Sequence, residues 1–100
     1  MIRTDTITKS PGQLVRAAAD VLLVFDTDLM DVTDMSIKGI ENRYMVFALM
    51  EKAGYTHQQI ADHFKMNREN VTKALSKLDD WLRIYADLRG TLNRLITLAL

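Results

Sequence analysis

Residues 57–76, HQQIADHFKMNRENVTKALS, contain two stretches with apolar residues at helical spacing, joined by a short turn. The pattern predicts one helix from His57 to Phe64 and a second that begins after Asn67. Ala61 is small enough for the two helices to cross closely. The predicted buried positions are Ile60, Ala61, Phe64, Met66, Val71, Ala74 and Leu75. This is the layout of a helix-turn-helix, whose second helix fits the major groove of B-DNA.

Charge is unevenly distributed along a chain that is neutral overall, with 13 basic and 13 acidic residues. Residues 1–56 have a net charge of −2, whereas residues 57–100 have a net charge of +2. Most of the positive charge lies in the second helix of the motif and the turn before it. That segment has one anion, Glu69, and four cations, which are Lys65, Arg68, Lys73 and Lys77. The exposed side of the second helix is therefore predicted to be basic.

The composition predicts one folded, mainly helical domain, because 48% of its 100 residues are hydrophobic and only one is proline. The absence of cysteine excludes disulfides and thiolate metal sites and fits a reducing compartment. The most apolar run, residues 21–25, is far shorter than the roughly 20 residues of a membrane-spanning helix. No signal peptide is apparent, so we expect a cytoplasmic protein that does not enter a membrane.

Two further helices are predicted before the motif, after a flexible arm at residues 1–9. Ser10-Pro11-Gly12-Gln13 is a strong start signal for a helix that should run to Phe25. Residues 26–34 are predicted to be a loop with one short turn. A long helix should follow from Ser36 or Ile37 to Ala53, closed by Gly54 in a left-handed conformation. Its predicted buried side consists of Ile37, Ile40, Tyr44, Phe47 and Ala48, with Met45 and Leu49 covered on the other side.

The helices of the motif and the last helix complete the predicted fold. Thr56 and Gln59 have the spacing of a capping box, and Asn67 is expected to cap the second helix through its side chain. An apolar seam should hold this second helix to the core, formed by Val71, Leu75, Leu78, Leu82 and Tyr85. A terminal helix is expected from Asp87 to about Leu98. Residues 10–100 are thus predicted to form one all-α domain of five to six helices around a central helix-turn-helix.

From Ile7 to Leu100 the chain resembles the C-terminal DNA-binding domain of DnaA, the bacterial replication initiator, which is a Trp-repressor-like helical domain. The shared features are a long first helix, an Asp-Leu-Met turn at residues 28–30, a long second helix, the helix-turn-helix and a terminal amphipathic helix. The resemblance implies duplex DNA binding in transcription or replication control, in the bacterial cytosol or nucleoid or by a phage-encoded protein. A Walker-type phosphate loop is absent, so no AAA+ ATPase belongs to this chain.

The motifs that give the family its DNA sequence preference differ here. The family has Gly-Gly-Arg-Asp-His-Thr-Thr-Val before its reading helix, and the matching residues 65–71 read KMNRENV, one residue shorter in the turn. Arg68 and Glu69 stand where a His and a Thr of the family contact DNA. The family's arginine-rich minor-groove loop corresponds to residues 34–39, which contain Lys38, with Arg43 further along. The resemblance therefore implies the same scaffold with a different target sequence.

The predicted DNA-contacting residues combine the motif with the resemblance. Arg68 has the geometry to bind guanine at O6 and N7, and the Thr72 methyl group suits thymine. His57 and Gln58, at a helix N-terminus, are placed for phosphate. Lys65, before the turn, is expected to adopt a left-handed backbone. The full set is His57, Gln58, Lys65, Asn67, Arg68, Glu69, Thr72, Lys73, Ser76, Lys77, Lys38 and Arg43.

Other functions were weighed against DNA binding. Two alternatives stay open: a polar face that is only solvated, and a scaffold that binds another protein instead of DNA. His57 and His63 are six residues apart, which does not suit a metal site, and the acidic residues 26–34 lack the glycine and glutamate of a calcium loop. No catalytic constellation or cofactor motif is present, so no enzyme is predicted. The apolar residues 92–100 are a candidate surface for a second copy or a protein partner.

Overall fold

The computed structural model describes residues 9–100, so residues 1–8 of the predicted arm lie outside the described residues. Within that range the chain is all-α, with six helices and no strand, as predicted. The helices are α1 Pro11–Leu22, α2 Asp26–Met30, α3 Ile37–Ala53, α4 His57–Phe64, α5 Arg68–Ile84 and α6 Ala86–Ala99. Lys9 is fixed to the domain, because its Nζ donates to the Ala99 carbonyl at 2.7 Å and its own carbonyl accepts from the Tyr55 hydroxyl.

Local sequence signals fix most helix ends. The Ser10 and Thr56 side chains accept from the amides of Gln13 and Gln59, and both capping boxes are complete. Ser36 caps α3 by accepting from the amide of Gly39. Gly54 ends α3 with φ 112°, a conformation that favours glycine. The two predicted capping boxes, the start of α3 at Ile37 and its glycine stop are confirmed.

Helix α1 ends three residues earlier than predicted. Leu23 adopts a left-handed conformation with φ 60° and ψ 43°, and the amide of Val24 donates to the Ala19 carbonyl at 3.1 Å. This closes the helix at Leu22 and turns the chain away from the core. Phe25, the predicted last residue of this helix, instead lies at the start of α2 and is 77% exposed. The predicted loop with one short turn is thus partly the five-residue helix α2.

Helix α3 is the centre of the fold, and each of the other five helices packs against it. Its buried apolar residues are Met45, Val46, Phe47, Leu49 and Met50. Ile37, predicted to be buried, is 79% exposed, and Ile40, Tyr44 and Ala48 are only half-buried. Of the predicted face only Phe47 is fully buried, and the expectation that α3 is covered on more than one side is confirmed by Met45 and Leu49.

Helices α5 and α6 enclose the core from the C-terminal half of the chain. Val71, Ala74 and Leu78 of α5 are buried, whereas Leu75 and Leu82 are half-buried. Tyr85, predicted in the seam, ends α5 and is 51% exposed. Helix α6 closes the core with Leu88, Leu92, Leu95 and Ala99.

A row of aromatic rings connects α5 to α4 through α3. Trp81 stacks on Tyr44 with ring centroids 5.6 Å apart, and Tyr44 stacks on Phe47 at 6.1 Å. The Phe64 ring meets Phe47 edge-on at 4.9 Å. Such pairs add to the stabilisation from burial alone. The relative positions of α4 and α5 are therefore fixed by the central helix behind them.

Candidate nucleic-acid interface

Helices α4 and α5 are joined by a three-residue turn, residues 65–67. Lys65 adopts the predicted left-handed backbone, with φ 56° and ψ 51°. The amide of Met66 donates to the Ala61 carbonyl at 2.9 Å, which ties the turn to the end of α4. The two helices share a core, formed by the fully buried Ile60, Ala61 and Val71 together with Phe64 and Ala74. The sequence identified these positions correctly, but Met66 and Leu75, also predicted to be buried, are only half-buried.

The exposed surface of α5 is basic as far as Lys77, in the first three helical turns. Lys65, Arg68, Lys73 and Lys77 are exposed, and none forms an ion pair with any of residues 9–100. In the second half, Arg83 lies 2.9 Å from Asp79 and 3.7 Å from Asp80, so the charges there are paired or acidic. Uncompensated positive charge is thus concentrated at the N-terminal end of α5 and on the preceding turn.

The arrangement around α5 follows from helical geometry. Successive residues are rotated by about 100°, so Glu69, Lys73 and Ser76 point away from the buried side. Lys73 and Lys77 also border an open groove of about 410 Å³ between α5 and the α2–α3 loop. Asn70 lines this groove as well. The sequence analysis did not select Asn70, although its spacing of three from both Asn67 and Lys73 places it on the same exposed side.

The N-terminus of α5 is open. Asn67 occupies the N-cap position as predicted, but the predicted hydrogen bond from its side chain to the helix is not formed. The first turn is instead held by main-chain bonds, with the Asn70 amide donating to the Asn67 carbonyl at 3.0 Å. The Asn67 amide group and the first backbone N–H groups of α5 therefore face solvent, at the end of the helix that attracts anions.

His57 and Thr72, both predicted to contact DNA, are engaged within the protein. His57 Nδ1 lies 2.8 Å from Thr72 Oγ1, and His57 Nε2 lies 2.6 Å from Glu51 Oε2. The Thr72 hydroxyl also lies 3.2 Å from the Arg68 carbonyl. This chain of contacts fastens the start of α4 to both α3 and α5. The two residues consequently orient α5, a role that the sequence alone did not indicate for them.

Arg43 is a correction to the predicted contact set. It is 4% exposed, and its Nη1 donates to the carbonyls of Asp31 at 2.9 Å and Asp34 at 3.2 Å. A buried guanidinium held by two carbonyls cannot reach a DNA groove without breaking the fold. Arg43 instead holds the α2–α3 loop against α3. Lys38, by contrast, is exposed at the start of α3, 3.9 Å from Glu41.

The remaining predicted contacts stay on the surface. Gln58 is exposed, and its amide donates to Asp62 Oδ1 at 2.8 Å within α4. Ser76 and Glu69 are exposed on the outer side of α5. One continuous surface covers residues 65–67 and the first three helical turns of α5. It consists of Gln58, Asn67, Glu69, Ser76 and the four cations. We call this surface the α5 face.

The acidic α2–α3 loop is built from capping interactions. The Thr33 hydroxyl and then its amide lower the pKa of the Asp31 carboxyl, and Ser36 does the same for Asp34 through its hydroxyl and amide. Among residues 9–100 there is no group of three His, Cys, Asp or Glu residues arranged to hold a metal ion. These carboxylates shape the loop beside the α5 face.

No protein-family model, curated protein or solved structure matches the chain. None of the helices described in residues 9–100 is both long and apolar enough to cross a membrane.

Proposed function

We propose that the chain binds double-stranded DNA, with α4 and α5 acting as a helix-turn-helix and the N-terminal half of α5 in the major groove. The observation that carries this proposal is the α5 face, where four exposed cations without ion pairs in residues 9–100 extend from the turn before α5 along its first three helical turns, beside an open helix N-terminus. Phosphates on both sides of a groove are the partner that such a surface suits.

The charge gradient along α5 favours one orientation of the helix. Asp79 and Asp80 in the second half would be repelled by phosphate, whereas Arg68 and Lys73 in the first half would be attracted. The helix therefore enters the groove with its N-terminus, as reading helices of this class do. Arg68 and Asn67 are then nearest the base edges, where guanidinium and amide groups select guanine and adenine respectively.

The other candidate contact residues, on the α5 face and beside it, have positioning roles in this proposal. Lys65, Lys77, Gln58 and Lys38 contact phosphates and carry no sequence information by themselves. Lys73, Ser76 and Asn70 are directed at the groove. His57 and Thr72 act indirectly by holding α4 and α5 at their crossing angle. The protein would work without catalysis, as a bacterial or phage-encoded cytoplasmic regulator of transcription or replication, in keeping with its resemblance to the DnaA C-terminal domain.

A second candidate is a protein-interaction module on the same scaffold. The observation that favours it is the exposed apolar pair Met35 and Ile37, which are 68% and 79% exposed in the segment preceding and beginning α3. Met35 borders the groove beside Lys73. DNA offers little apolar surface to such side chains apart from thymine methyl groups. A protein partner would bury them.

Titration against a short duplex of random sequence separates the two candidates. We expect binding at about 50 mM salt that weakens strongly at about 200 mM. Lys73→Glu should lower the affinity at least tenfold, because it replaces an attractive charge in the groove by a repulsive one. Arg16→Glu, an equal charge change at an exposed position of α1, is the matched control and should have a much smaller effect. Absence of binding by the native chain at either salt concentration would favour the protein-interaction module.

Lys65→Gly is expected to stabilise the protein and weaken its binding to DNA. Glycine relieves the left-handed backbone strain at φ 56°, about 1 kcal/mol, which corresponds to about 4–8 °C in melting temperature for a domain of this size. The same change removes one cation from the α5 face. Differential scanning calorimetry and a DNA titration measure the two effects.

Leu23→Gly is the matched control for that variant. Leu23 has nearly the same backbone conformation, φ 60°, and is 90% exposed, but it lies at the end of α1 and carries no charge. It should raise the melting temperature by a similar amount and leave DNA affinity unchanged. An equal loss of affinity in both variants would show that the Lys65 cation has no part in binding.

A further inference from the structure

Gly90 occupies an unexpected position in α6. It lies in the interior of a 14-residue helix, is exposed, and a Cβ atom added there would meet nothing within 4 Å. Glycine destabilises a helix interior relative to alanine. No neighbour among residues 9–100 requires the absence of a side chain at this position. A glycine without such a neighbour is explained if another helix approaches closely from outside.

Charged residues of opposite sign flank Gly90 on the same side of α6. Asp87 lies one turn before it and Arg94 one turn after it, and both are exposed. The two are about 10 Å apart along the helix axis, and neither forms an ion pair with residues 9–100. If a second α6 crosses antiparallel at Gly90, Asp87 of each copy lies beside Arg94 of the other. The face is therefore complementary to itself in charge.

Exposed apolar residues lie where this alignment needs them. Leu98, 63% exposed, is four residues after Arg94 and shares its side of the helix. In the antiparallel pair, Leu98 of one copy extends past the N-terminus of α6 of the other copy, towards the α5–α6 junction of that other copy. Ile84 and Tyr85 are exposed there, at 69% and 51%. The charge pairs are thus flanked at both ends by apolar side chains.

We propose that two copies of the chain associate through an antiparallel pairing of α6 that crosses at Gly90, with a twofold axis beside that residue. Twofold pairing is the commonest symmetry of homo-oligomers, and it uses every interaction twice. One pair of helices of this length buries less than a standard-size interface, so the association is weak. The inference does not depend on DNA binding, although a twofold dimer would present two α5 faces to two half-sites.

Gly90→Gln tests the close approach. Glutamine is a good helix former, so the variant should melt about 3–5 °C higher while its side chain blocks the crossing. Sedimentation equilibrium up to about 0.5 mM, without DNA, should show association of the native chain and a monomer for the variant. Gly12→Gln in α1 is the matched control, since a Cβ at Gly12 also meets nothing, and it should associate like the native chain.

Charge exchange tests the alignment. D87R and R94D each bring like charges together and should weaken association at least tenfold at low salt. The double variant D87R/R94D restores both pairs and should recover it, and an equimolar mixture of the two single variants should form a heterodimer. A monomeric native chain at the highest concentration, or association that Gly90→Gln leaves unchanged, would overturn the proposal. Either result would leave the proposal that a single copy binds DNA unaffected.

Discussion

Raising the salt concentration from about 50 to 200 mM is expected to weaken DNA binding by at most about 150-fold, the limit reached when Arg68 and Lys73 neutralise phosphates as well as Lys65 and Lys77. Each neutralised phosphate contributes about −0.9 to the slope of log affinity against log salt, so four give a slope of about −3.6. The cations concerned are Lys65, Arg68, Lys73 and Lys77, which have no ion pairs within residues 9–100. Fluorescence anisotropy with a labelled duplex measures the slope.

Lys73→Gln combined with Lys77→Gln should halve that slope to about −1.8, so that the same change in salt weakens binding only about 12-fold. Glutamine keeps a comparable length and helix propensity and removes only the charge. Replacing Arg16 and Lys52 by glutamine gives the control, with an equal change in net charge at exposed positions of α1 and α3 that lie outside the predicted contact set. An unchanged slope in the α5 double variant would mean that another surface binds the phosphates.

Phe47→Ala is expected to lower the free energy of unfolding by about 3–5 kcal/mol, a large share of the stability of a domain this size. The Phe47 side chain is fully buried in α3 and contacts the rings of Tyr44 and Phe64. Truncation leaves a cavity behind α4, at the centre of the aromatic row that fixes α4 and α5. Urea denaturation followed by circular dichroism measures the loss.

Phe25→Ala is the control, and it also tests the end of α1. The residue type and the truncation are the same, but Phe25 is 77% exposed, so stability should change by no more than about 0.5 kcal/mol. A loss comparable to that of Phe47→Ala would mean that α1 continues beyond Leu22 and buries this ring. Phe47→Leu provides a folded variant, with a smaller expected loss, if Phe47→Ala does not fold.

Much of the candidate site was predictable from residue types and spacing. The cation cluster and the buried Ile60, Ala61 and Val71 depend only on which residues share a side of a helix, which periodicity determines. The internal contacts of Arg43 and His57 could not be predicted in the same way. Whether a polar side chain points outward or binds carbonyls and carboxylates depends on what lies within reach in space.

The amino-acid sequence by itself determined the features that arise within a few residues. The capping boxes at Ser10 and Thr56, the glycine stop at Gly54 and the left-handed turn at Lys65 all follow from local hydrogen bonds and backbone sterics. Only the tertiary structure decided which sides of α3 are buried and that Phe25 lies outside the core. A helix that is apolar nearly all round has no preferred side of its own, so the five helices packed around α3 make the selection.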